Sequence, residues 1–324
     1  MDPTAFRPPA RVTIVAGKGG VGKTTVSAAL AYHAAASGIE TLIVEVEGKS
    51  GLTALFDREE PLGYQETVLS EPGQAGPGSA PLRARTLTPD DALVEYLDAH
   101  GLRRVSKRLS ASGTLDVVAT AIPGIKDILV LGKVKQLETL SATGAEGAAQ
   151  FIVVDAPAAG HAVSFLASAF GLLDAATVGP IRAQAADVIT LLSDPDRCQV
   201  MLVTVPEETP VNEAADTAYH LEDRTGVKLA PIVVNCVWPH LDLPTDTARA
   251  LGDRVTGPTL EALDKAARFR RLRQELQEAQ IARLADMLPL AQVRLPYLFT
   301  TDLGRSELVA LSARLGEQLQ ELAR

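Results

Sequence analysis

A chain of 324 residues that is 46% hydrophobic and 22% charged holds enough apolar material for a large core, which excludes wholesale disorder. Its net charge of -9 excludes a broad, non-specific nucleic-acid surface, because that mode of binding needs Lys and Arg to neutralise phosphates. The two cysteines, Cys198 and Cys236, lie far apart and form no C-x-x-C pair, which excludes a disulfide framework and a cysteine zinc site.

The chain opens on MDPTAFRPPA, which has neither the basic start nor the apolar run of a secretory signal. No run of 18 apolar residues follows, so a cytoplasmic protein without an integral membrane segment is expected. Residues 12–16, VTIVA, are the first of five short β-branched runs, followed by residues 41–46, 151–155, 200–205 and 230–235. Nearly all are apolar on both faces, as a parallel strand reads when helices cover both sides of its sheet. Longer amphipathic stretches alternate with them, the first running from about residue 23 to a stop at Gly38. The pattern predicts one α/β domain over residues 1–324, a doubly wound, mostly parallel sheet flanked by helices.

Between the second and third runs, residues 71–81, EPGQAGPGSAP, read as a flexible, exposed loop. Beyond them, DDALVEYLDAHGLRRVSKRL and IPGIKDILVLGKVKQLETL predict an inserted helical subdomain over about residues 90–140. It lies outside the minimal core, and its apolar run Ile128, Leu129, Val130 and Leu131 is expected on a client-facing surface. A later helix, residues 258–287, carries an apolar stripe that includes Leu272, Leu276, Ile281 and Leu284. Within it RFRRLR, residues 268–273, reads as a solvated face balanced by Glu275 and Glu278, with a patch for an anionic partner as the alternative.

The chemistry concentrates after the first strand. Gly17, four residues, then Gly22, Lys23 and Thr24 satisfy the phosphate-loop pattern G-x-x-x-x-G-K-[ST], and the stretch follows a predicted strand and opens a predicted helix. Glycines let the backbone wrap closely, so the N–H groups of Gly17, Gly19, Gly20, Val21, Gly22, Lys23, Thr24 and Thr25 are placed to surround the phosphates of ATP. Lys23 is expected on the β and γ phosphates and the Thr24 hydroxyl on Mg2+. Lys18 is an additional cation at the loop's start. It cannot easily turn into its own loop, but it can extend toward a nucleotide on a second subunit.

GKGGVGKTT resembles the deviant Walker A loop of dimeric ATPases, in which this first lysine contacts the partner's nucleotide. The resemblance implies a face-to-face dimer with ATP in the interface and Lys18 acting in catalysis. DAPAAGHAVSFL, residues 155–166, resembles the second switch of the arsenite-pump ATPases and of the ATPases that target tail-anchored membrane proteins. That likeness implies that Asp155 organises Mg2+, that Gly160 supplies a flexible turn, and that His161 is the family histidine. IVVNCV places Asn235 where the family asparagine recognises adenine, and LPYLFTTDL, with Pro296, resembles the segment lining the adenine pocket. VTVPEETPVNEA and IPGIKD also resemble family segments, so the likeness runs from Arg11 to the C-terminus.

The departures are specific. Where the family's first switch has an aspartate that orients the attacking water, EVEGKSGL places Glu47, followed by Gly48 and Lys49. Glu is longer by a methylene, and a misplacement of about 1 Å can cost about 10²-fold in rate, so slow hydrolysis is an open expectation. The zinc-bridging C-x-x-C is missing, as is a cysteine cluster for arsenite, and the chain has only 3 Met. The expected function is a Mg2+-dependent dimeric ATPase that couples nucleotide state to a protein or membrane-associated client. Two alternatives stay open: a nucleotide-clamped, non-catalytic subunit of a heterodimeric ATPase, and a partitioning or positioning ATPase. The dimer is expected to be a homodimer, or a heterodimer with a related ATPase that retains the aspartate.

Overall fold

A computed structural model describes residues 7–46, 51–99, 101, 104, 124–175, 179–251 and 254–323. Glu47, Gly48 and Lys49 fall outside the described residues, as do Ile122, Pro123 and most of the stretch between 100 and 123.

Strand β1 (Val12–Gly17) leads through a loop into helix α1 (Lys23–Ala36), which crosses to β2 (Thr41–Val46). Helix α1 ends in a reciprocal pair of turns: Ile39 N–H donates to Ala34 O and Gly38 N–H to Ala35 O, with Gly38 at φ 86°. This is the left-handed glycine stop that the sequence predicts. Helix α2 (Gly51–Ala54) and the antiparallel strands β3 (Thr67–Ser70) and β4 (Leu82–Leu87) follow, then helices α3 (Pro89–Ala99) and α4 (Ile125–Thr143). Strand β5 (Phe151–Ala158) precedes α5 (Ala159–Ala175) and α6 (Pro180–Leu192), and β6 (Cys198–Thr204) precedes α7 (Glu208–Thr225). The chain continues through β7 (Lys228–Leu229), β8 (Ile232–Val237), α8 (Thr247–Leu251), α9 (Pro258–Met287), β9 (Gln292–Pro296) and α10 (Arg305–Leu322).

The sheet runs β3-β4-β2-β5-β1-β6-β8-β9, with β7 added beside β6, and every pairing except β3–β4 is parallel. Alternate residues divide between two cores. Val12, Ile14 and Ala16 of β1 pack with α3 to α7 and the last turns of α9, while Val15 packs with α1, α2 and α10. This is the doubly wound α/β architecture of phosphate-loop nucleoside triphosphatases, with its crevice at the carboxyl ends of the strands.

Residues 71–81, expected as a flexible, exposed loop, join β3 to β4 and are mostly exposed, with Gly73 N–H donating to Ser79 O at 3.0 Å, Ala75 N–H to Ser79 Oγ at 3.2 Å, and Ala80 N–H to Ala35 O of α1 at 2.9 Å. Two expectations need correction. Strands β3, β4, β7 and β9 fall where no strand was predicted. Ile128, Leu129, Val130 and Leu131 are buried in the core rather than presented to a client. Helix α4 packs on α3, α5 and α6, so the described helices of the expected subdomain belong to the layer that covers the sheet.

At the opposite, amino end of the sheet a buried charge ties three elements together. Glu138 of α4, with its side chain 1% exposed, accepts from Arg11 Nε at 2.8 Å and from Arg197 Nη2 at 2.6 Å, just ahead of β1 and β6. Burial pushes its carboxyl up, but the hydrogen bonds and charges of Arg197 and Arg11 outweigh that and hold it below the ordinary carboxylate value of 4.5. Removing one partner of such a pair leaves the other charges uncompensated, so Glu138→Gln is expected to lose about 3 kcal/mol of stability at neutral pH. A lowered folded value means that this stabilisation is present above the unfolded carboxylate value and is lost as pH falls through the folded one. Urea unfolding across a pH series should therefore show the gap between wild type and Glu138→Gln closing as pH falls below about 4.

Candidate nucleotide site

The loop between β1 and α1 lies where the sheet order switches direction: the chain leaves β1 for β2 on one side and reaches β6 on the other. In open α/β sheets that crevice is the expected ligand position. Gly17 has no room for a side chain, since a Cβ there would lie 2.3 Å from Val203 O. Gly22 stands in the left-handed region at φ 89°, and a Cβ on it would lie 2.3 Å from Asn235 Nδ2. The two glycines let the loop pass under β6 and β8 and enter α1 at a sharp angle. Helix α1 starts with no side-chain cap and no acidic residue in its first turn. Its leading N–H groups therefore face the crevice, the arrangement that receives an anion.

Three side chains define the charge of the crevice. Lys23 is 8% exposed, and its Nζ donates to Lys18 O at 3.1 Å, arching over the loop it belongs to. Lys18 extends the other way, its Nζ 2.5 Å from Glu213 Oε1 on α7. Asp155, 3% exposed on β5, accepts from Thr24 Oγ1 at 2.6 Å and from Ser27 Oγ at 3.3 Å. Thr24 and Ser27 are three apart on α1 and so share a helix face, which is how both reach one carboxylate. A hydroxyl and a carboxylate meeting beside an anion-binding helix start are hard oxygen donors, the set that suits Mg2+.

The remaining predicted residues fall around this centre. Gly19 and Gly20 are exposed, Val21 is buried and Thr25 is half-buried in the first turn of α1. Asn235 of β8 is buried, and its Nδ2 donates to Val21 O at 2.9 Å, which pins the loop to the sheet. Pro296 is the half-buried last residue of β9, opposite Val237. Gly160 lies in the first turn of α5 instead of in a turn ahead of it, and His161 beside it is exposed. The segment that resembles a second switch nonetheless lies against the loop, since Gly17 and Ala158 are ladder partners. Glu47 lies outside the described residues.

Sequence reasoning did not single out Ser27, although its spacing from Thr24 carries the signal, or Glu213, for which the sequence carries none. It also missed an aromatic group beyond β8 and β9. Trp238 packs on Phe299 at 5.1 Å and on Tyr297 at 5.7 Å between ring centroids, with Phe269 of α9 at 6.1 Å. Three of the arginines of residues 268–273 take partners other than Glu275 and Glu278. Arg270 stacks over Trp238 at 4.5 Å, Arg273 donates to Glu207 Oε1 at 2.7 Å, and Arg271 donates to Pro244 O.

The sequence profile described as anion-transporting ATPase matches residues 10–171, a span that includes the loop, β5 and most of α5. The protein named ATPase BagA of Mycobacterium tuberculosis is 32% identical, over 95% of this chain and 93% of its own length. The arsenical pump-driving ATPase of Acidiphilium multivorum is 28% identical over 72% of this chain and 40% of its own length. One from Escherichia coli is 26% identical over 65% of this chain and 32% of its own length. The chain thus spans well under half of the pump-driving relatives.

Gly22→Ala tests the packing of the loop. The added Cβ would force Asn235 aside and strain the backbone by about 1–3 kcal/mol, so a protein that keeps its circular dichroism should lose about 10–100-fold in ATP affinity by calorimetry.

Proposed function

Because the chain belongs to the anion-transporting ATPase family, we propose that it is a Mg2+-dependent ATPase that closes as a dimer around its nucleotides and passes that change to a protein or membrane-associated client. The observation that carries this reading is the Thr24–Asp155 contact beside the uncapped start of α1, with Lys23 folded over the same loop. ATP phosphates entering the loop would accept from its N–H groups and draw Lys23 Nζ away from the Lys18 carbonyl. Thr24 and Asp155 would hold Mg2+, which supplies neutralisation of the charge on the phosphates. Asn235, already at the wall of the loop, and Pro296 would border the adenine, and Glu47 would orient the attacking water.

Lys18 has the larger movement to make. Its ammonium sits on Glu213, and an exposed ion pair of this kind is worth about 0.2–1 kcal/mol, small enough to be exchanged for a phosphate on a second subunit. In a homodimer both sites would receive a Lys18. In a heterodimer a related ATPase with the usual first-switch aspartate would complete one of them. The glutamate at position 47 favours a second reading, in which this chain clamps ATP and contributes little hydrolysis. A partitioning or positioning role has less support, since EVEGKSG departs from the D-x-D-P-Q of those families.

The names of the pump-driving relatives describe those proteins. An arsenite cargo has little support in this chain, because Cys198 is fully buried and burial, with Glu138 adding to it, pushes its thiol up to about 12. Cys236 is half-buried, and burial raises its thiol as well. Among the described residues no helix is long and apolar enough to cross a membrane.

Steady-state phosphate release from the purified chain, alone and with any ATPase that co-purifies in non-hydrolysable ATP, tests the assignment. Lys23→Ala should abolish tight ATP binding, and Lys18→Ala should leave binding by the single chain intact while lowering turnover by about 10-fold or more. A monomeric ATP complex whose turnover ignores Lys18 contradicts the dimer, and tight binding with no release supports the clamp.

A further inference from the structure

Strand β2 carries another carboxylate toward the same crevice. Glu45 is the ladder partner of Asp155 across β2–β5 and of Thr86 across β2–β4. Paired residues of parallel strands point to the same side of a sheet, and the strands lie about 4.8 Å apart. Two residues earlier, Ile43 and Val153 both pack in the core beneath α1, so Glu45 and Asp155 rise from that same face. Both are buried, Glu45 at 2% and Asp155 at 3% exposure. Thr86 Oγ1 donates to Glu45 Oε2 at 2.8 Å, which fixes the carboxylate from the β4 side. The neighbouring Arg85 alternates to the opposite face, where it stacks on Tyr64 at 4.4 Å.

Two buried carboxylates side by side repel one another, and proteins keep such pairs where a proton or a cation joins them. Here the neighbouring phosphate loop favours a cation. Thr24, in the first turn of α1 above this face, already holds Asp155, and Mg2+ in a nucleotide site is bound through one or two carboxylates while keeping several of its waters. We propose that Glu45 is a second carboxylate of the Mg2+ shell, oriented by the Thr86 hydroxyl and acting on the metal or its bound water alongside Thr24 and Asp155. The inference rests on the loop being a MgATP site. It assigns a metal-positioning role to Glu45, two residues upstream of the first-switch position.

The test is a titration of ATP binding by the full chain from EDTA to saturating Mg2+, by calorimetry, for wild type, Glu45→Gln and Thr86→Val. Glu45→Gln keeps the size of the side chain and its acceptor for Thr86. Its affinity for metal-free ATP should not fall below that of wild type, since a carboxylate that repels the phosphates is gone, while the Mg2+ concentration giving half of the metal-dependent gain should rise about 10-fold or more. Thr86→Val, which keeps the carboxylate and loosens it, should raise that midpoint by a smaller factor. Mn2+ in place of Mg2+, followed by electron paramagnetic resonance, should give the same order. An unchanged metal midpoint in folded Glu45→Gln overturns the role; should that variant not fold, an unchanged midpoint in Thr86→Val overturns it. A wild type that binds no ATP with or without metal overturns the MgATP reading and this inference together. ATP binding with a Mg2+ response indifferent to Glu45 overturns this inference alone.

Discussion

The hydrogen bond from Thr24 to Asp155 joins the first turn of α1 to the carboxyl end of β5, and the architecture of the crevice follows from what that contact requires. To bring a helix start and a strand end within 2.6 Å, the chain must leave β1 and turn back over the sheet within a few residues. Only backbone without side chains can make that turn under Val203 and past Asn235, hence Gly17 and Gly22. The same turn leaves the helix start uncapped, because the loop supplies no oxygen to receive its N–H groups. An uncapped helix start costs stability, and here the open donors are what a phosphate would satisfy.

Much of this was legible in the sequence, and the physics explains which parts. The central strands β1, β2, β5, β6 and β8 are buried on both faces, so they read as continuous apolar runs with little else they could be. The loop is fixed by spacing, and spacing is a local property. Strands β3, β4 and β9 are less visible because they lie toward the sheet's two edges: β3 is only 4 residues long, and β4 and β9 interleave charge with apolar residues, as with Arg83 and Arg85 or Arg294. The run from Ile128 to Leu131 was misread for a geometric reason. Four successive residues of a helix sweep about 300° around its axis, so an entirely apolar run signals burial on all sides rather than one greasy exposed face. In α4 those sides are filled by α3, α5 and α6.

The long-range partners were not legible at all. That Lys18 meets Glu213, that Glu138 gathers Arg11 and Arg197, and that Glu45 stands beside Asp155 all depend on strand order and register. A one-residue slip of β2 would turn Glu45 to the opposite face. The two ends of the sheet also use charge differently. At the amino end Glu138 is saturated by two arginines and acts as a rivet. At the carboxyl end the acidic pair is held by the hydroxyls of Thr24, Ser27 and Thr86, donors that a metal ion and its waters can replace.

If the loop's backbone donors, with Thr24 and Asp155, form a MgATP site, amide hydrogen exchange of the full chain with and without MgATP reports it directly. Exchange should slow mainly in residues 17–27, with smaller protection around Asp155 and Asn235 and none at the amino end of the sheet near Glu138. Unaltered exchange across residues 17–27 at saturating MgATP would contradict it.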